Sequence, residues 1–86
     1  MNYALIASNW RKKQPEGHTK TGVVLIWQGK VYGWKNSLRD ASHERPNAIA
    51  VDEQGRIFRA EGGNDDDGAK MWVVVSNNVK GGRVPS

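Results

Sequence analysis

The sequence predicts a mainly β protein: a small antiparallel sheet of five or six strands curled into a barrel like an SH3 or OB fold. It leaves room for at most one short helical turn. Three observations lead there. Two segments read as tight hairpins, a third apolar run reads as a strand, and four Trp residues need more cover than one flat layer provides.

The first hairpin spans residues 22–35. Val23, Val24, Leu25, Ile26 and Trp27 suit a pleated surface, and Gln28-Gly29 can turn the chain into a second run at 31–34. Val23, Leu25 and Trp27 share one face, and Val24 and Ile26 share the other. Apolar groups on both faces predict a central strand or a sheet that curls over itself. In the second run, Val31 and Gly33 should alternate with Tyr32 and Trp34.

The second hairpin spans residues 47–61. Ala48 to Val51 lead into Asp52-Glu53-Gln54-Gly55, where Asp opens a turn and Gly supplies a left-handed residue; 56–60 return. The third strand is Met71-Trp72-Val73-Val74-Val75-Ser76, closed by Asn77-Asn78. Its apolar character predicts a buried strand rather than an exposed edge.

Residues 2–10 fit two patterns. Ala4, Ile6, Ser8 and Trp10 would share a strand face, whereas Tyr3, Ile6 and Trp10 would share a helix face. The strand is preferred, because the sheet wants an N-terminal partner and the segment is short for a helix. Residues 11–21 read as a loop. Ser37 with Asp40 outlines a capping box for one helical turn ending before Pro46. Residues 62–68 form an acidic loop. A single β-rich domain over 1–80 is expected, with 81–86 a flexible tail.

At 86 residues the core is thin, and the absence of Cys removes disulfides, thiol catalysis and Cys-based zinc sites. No apolar run approaches a membrane span, so a cytoplasmic protein with no membrane partner is expected. Charge is segregated within a net +4. The first 39 residues are strongly basic, residues 40–67 are acidic, and the remainder is basic again.

The basic half carries the main functional lead. Arg11, Lys12, Lys13, Lys30 and Lys35, with Lys20 and Arg39 nearby, would contact phosphate. Trp10, Tyr32 and Trp34 would supply stacking surfaces beside these cations. The competing reading keeps the rings in the core and leaves the lysines as an ordinary solvated surface.

Other constellations fail on spacing. If Gly68 were the turn glycine of an EF-hand, Gly63 and Val74 would occupy its first and last ligand positions, and neither offers a carboxylate. His18 and His43 lack metal-ligand spacing, and no Ser/His/acid arrangement marks a nucleophile. No Gly-rich phosphate loop exists, so no cofactor, metal or catalytic residue is expected. The acidic loop instead can orient a polyanion by repelling it from one side.

The stretches 31–40 and 50–56 resemble, in general look, small accessory proteins of bacterial mobile elements. The resemblance transfers no functional residues. The sequence thus predicts a non-enzymatic binding module, with nucleic acid as the leading partner. The alternative is a protein-binding adaptor or inhibitor, such as a phage or plasmid accessory protein acting on a host nucleic-acid machine. A homodimer through a sheet edge belongs to that alternative.

Overall fold

The structure, a computed structural model, describes residues 2–15 and 17–76. It begins with helix α1 (Tyr3–Lys12) and a 3-10 turn (Gly17–Lys20), followed by strands β1 (Val23–Trp27) and β2 (Lys30–Lys35). A second 3-10 turn (Ala41–His43) precedes β3 (Ile49–Val51), β4 (Ile57–Glu61) and β5 (Met71–Ser76). The five strands make one antiparallel sheet in the order β2-β1-β3-β4-β5. Asn77-Asn78 and the expected tail 81–86 lie outside the described residues.

The sheet does not close into a barrel, which corrects the SH3/OB-like expectation. Two other pieces of chain cover its faces. On one face, α1 packs against β1, β2 and β3. There Ala7, Val24, Ile26, Ile49, Val51 and Ile57 form a buried cluster, flanked by Tyr3, Ile6, Trp10 and Trp34. On the other face, residues 36–48 lay Leu38 and Ala41 over Leu25, Trp27, Phe58 and Trp72. Two-sided cover makes closure unnecessary, and β1 lies inside the sheet, between β2 and β3, as its double-sided apolar pattern required.

The N-terminal segment is a helix, not the expected strand. Tyr3, Ile6, Ala7 and Trp10 follow the i, i+3, i+4, i+7 spacing of one helix face. The Asn2 side chain caps the start by accepting from Leu5 N at 3.0 Å. Arg11 and Lys12 in the last turn complement the helix dipole. Ten residues make a marginal isolated helix, so packing of the apolar face onto the sheet stabilises it.

Both hairpins form. Gln28 and Gly29 take φ values of 52° and 80°, the double positive-φ pattern of a type I′ turn. In the second, Asp52 Oδ1 accepts from Gln54 N and Arg56 N, and Gly55 adopts φ 85°. The expected alternation in β2 is broken by a bulge: Leu25 faces Gly33 but Ile26 faces Val31, leaving Tyr32 as the extra residue. Val31 and Trp34 consequently both pack with the helix-side cluster. Residues 36–46 do contain one short helical turn. It starts at Ala41, with Asp40 preceding it and giving no side-chain cap.

β5 also departs from expectation. It is an edge strand, with Met71, Val74 and Val75 exposed.

Candidate functional site

The eight residues predicted to bind nucleic acid separate into four groups. Trp10 is half-buried against the helix-side core. Arg11 is a structural clamp: Nη1 donates to the carbonyls of Thr19 (2.6 Å) and Thr21 (2.8 Å). Its Nη2 donates to those of Gly22 (2.9 Å) and Val51 (3.2 Å). Burial draws the Arg11 pKa below its ordinary value, with Glu53 and Asp52 acting in the opposite direction. Lys12 and Lys13 are exposed at the end of α1. The remaining four, Lys30, Tyr32, Trp34 and Lys35, lie together on the edge strand β2.

Trp34 occupies two environments. Its indole N–H donates to Thr21 O at 2.8 Å, and part of the ring packs on the core. The rest borders a shallow groove with Lys35, Arg39 and His43.

Glu44 organises the surface beside this strand. It is only 8% exposed, yet it is fully partnered. Lys35 Nζ meets its Oε2 at 2.7 Å, and Tyr32 Oη donates to its Oε1 at 2.5 Å. Burial, then the hydrogen bond and charge of Glu44, push the Tyr32 pKa well above the phenol range, with Arg45 acting weakly the other way. The Glu44 carbonyl accepts from Ala69 N at 2.9 Å, so the same residue ties the acidic loop to the crossing segment.

That loop is a closed turn. Asn64 and Gly68 exchange backbone hydrogen bonds of 3.2 and 2.8 Å, and Asn64 Oδ1 accepts from Asp67 N at 2.7 Å. Asp65 and Asp66 are left exposed at its tip. Gly68 adopts φ +85°, and a Cβ there would stand 2.0 Å from Ser42 O. Glycine is what lets the loop seat on the crossing segment.

Between the β1–β2 hairpin, the crossing segment and this loop lies an open cleft of about 780 Å³. Trp27, Lys30 and Tyr32 line its hairpin side, and His43 and Arg45 line the crossing segment. Asp65 and Asp66 form the opposite rim. The Arg45 guanidinium stacks over the Trp27 ring, 4.1 Å from its centroid. Among the described residues, no group of three or more His, Asp or Glu side chains is placed to hold a metal ion.

Sequence reading missed Trp27, His43, Arg45 and the two aspartates as neighbours of Lys30 and Tyr32. Trp27 ends a strand immediately before a turn, a position that leaves a ring half-covered. The acidic run 65–67 was visible, but its place opposite the hairpin depends on the long crossing of residues 36–48. Comparison with protein-family models, curated proteins and solved structures finds no match for this chain.

Proposed function

We propose that the protein is a non-enzymatic module that binds single-stranded nucleic acid along its β2 edge. One observation carries this reading: the cleft and the shallow groove adjoin at His43 and together line that edge with Lys30, Lys35, Arg39 and Arg45. A phosphate chain following the edge meets Lys30, Arg45 and Arg39 in succession, with Lys35 held by Glu44 between them. The Arg45–Trp27 stack and the exposed Tyr32 ring offer planar surfaces to unstacked bases.

The acidic rim has a role in the same reading. Carboxylates repel phosphate but accept hydrogen bonds from exocyclic amino groups of bases. Asp65 and Asp66 therefore favour a strand lying with its backbone toward Lys30 and its base edges toward the loop. The cleft volume falls in the range of roughly 300–1,000 Å³ usual for ligand sites. A rigid duplex, with its bases stacked inside, gains little from the planar surfaces of this mixed-charge cleft.

Fluorescence anisotropy with a labelled single-stranded oligonucleotide tests the proposal. Binding should weaken steeply with salt, with a log–log slope of roughly −2 for about three phosphate contacts. Lys30→Glu and Arg45→Glu should each weaken it by about tenfold or more. Absence of binding at low salt, or binding indifferent to both substitutions, refutes it.

A further inference from the structure

The two edges of the sheet are built differently. β2 carries Lys30 and Lys35 and a bulge at Tyr32, features that discourage another strand from pairing there. β5 has no charged residue between Met71 and Ser76, and it exposes Met71 (57%), Val74 (56%) and Val75 (37%). Its own bulge lies at its C-terminal end, where Val75 is the extra residue between Phe58↔Val74 and Ile57↔Ser76, and Met71 to Val74 run regularly. An uncharged apolar edge of this kind is a template for strand addition.

We propose that β5 pairs antiparallel with β5 of a second copy, joining two sheets across a two-fold axis centred on Val73. The backbone points to this register. Ala60 N donates to Ala48 O at 2.9 Å, toward β3. Amide directions alternate along an antiparallel strand, so Arg59 and Glu61 turn toward β5 and their partners Val73 and Met71 turn toward β4, while Trp72 and Val74 turn outward. Around a non-hydrogen-bonded Val73–Val73 pair, Trp72 and Val74 of each copy then exchange hydrogen bonds with Val74 and Trp72 of the other. In that register Met71 faces Val75 of the second copy and Trp72 faces its Val74, so every opposed pair is apolar.

The faces agree as well. Met71 and Val73 oppose Glu61 and Arg59, on the side of the sheet that holds α1. The helix packs on β1, β2 and β3, so its footprint ends short of this edge. A two-fold axis through Val73 gathers these apolar side chains from both copies into one patch. Pairing β5 with β2 of another copy would set Lys30 and Lys35 against Met and Val. It would also leave free edges that propagate into a filament, whereas the β5–β5 contact closes on itself. A second copy is therefore the occupant that fits. The inference does not depend on nucleic-acid binding, because the β5 edge lies at the opposite end of the sheet from β2.

Sedimentation equilibrium of the full chain tests the association, and cysteine cross-linking tests the register. A six-residue strand contact is at the small end of interfaces, so dimer should appear over about 10–500 µM. The mass should rise from 9.6 kDa toward twice that value across the range. Val74→Lys should hold the protein at monomer mass with an unchanged circular dichroism spectrum. The chain has no Cys, so Val73→Cys should form an inter-chain disulfide under mild oxidation. Val74→Cys, displaced from its own symmetry mate, should cross-link far more slowly. Monomer mass at every concentration overturns the proposal, including the case in which residues 77–86 occupy this edge. A dimer that survives Val74→Lys, or that cross-links faster through Val74→Cys, also overturns it.

Discussion

Arg11 Nη2 lies 3.2 Å from the carbonyl oxygen of Val51, joining the end of α1 to the end of β3. The same guanidinium holds the carbonyls of Thr19, Thr21 and Gly22. A cation that looks ready for phosphate in the sequence is committed to the backbone in the fold.

Arg11→Ala should therefore act on stability and not on oligonucleotide affinity. Losing a charged donor from several part-buried carbonyls should cost about 2–4 kcal/mol by urea denaturation. Arg11→Lys should recover little, because an ammonium lacks the planar fork that spans several acceptors. Weaker oligonucleotide binding at unchanged stability would return Arg11 to the binding surface.

Tyr32 makes stability depend on alkaline pH. Its pKa is raised above the ordinary phenol value of 10.0, by burial first and then by Glu44. The folded protein holds the phenolic proton more tightly than the unfolded chain. The contribution is thus complete below about pH 10 and is lost as pH rises through the folded value. Urea midpoints measured from about pH 9 upward should fall more steeply in wild type than in Tyr32→Phe. Parallel profiles for the two proteins would contradict the Tyr32–Glu44 bond.

Gly68→Ala should damage the fold and the cleft together. The added Cβ meets Ser42 O at 2.0 Å, and φ is +85°. A loss of about 2–4 kcal/mol is expected, since neither the carbonyl nor the left-handed backbone can yield cheaply. Gly17→Ala is the control, because a Cβ there meets nothing within 4 Å. It should change stability by less than about 0.5 kcal/mol.

Much of the sheet was legible because its determinants are local. Gln28-Gly29 and Asp52 with Gly55 specify their turns within a few residues, and the Val23–Trp27 run announces a two-sided strand. The helix was misread because Tyr3, Ile6 and Trp10 satisfy a helix stripe while neighbouring residues satisfy strand alternation. The decision rests on which face of the sheet needs cover, a tertiary property. The barrel expectation failed for the same reason: four Trp were assigned to closure, when α1 and residues 36–48 provide the cover.

The site was legible only in part. Lys30, Tyr32, Trp34 and Lys35 were found because one strand carries all four. Trp27 and Arg45 meet through the crossing segment, and no local pattern marks that contact. Lys12 and Lys13 were grouped with Arg11 by sequence adjacency, yet the helix leaves them exposed while Arg11 turns inward. Lys12→Glu with Lys13→Glu should accordingly weaken oligonucleotide binding less than Arg45→Glu alone, measured by anisotropy at fixed low salt.

The binding surface itself is tested most directly by the four indole N–H signals in a nitrogen–proton correlation spectrum during titration with a short single-stranded oligonucleotide. The signal of Trp27, beneath Arg45 in the cleft, should move most and saturate, while that of Trp10 in the helix-side core stays in place. A Trp27 signal that does not move while oligonucleotide binds, or a larger shift at Trp10, would contradict a binding surface along the β2 edge.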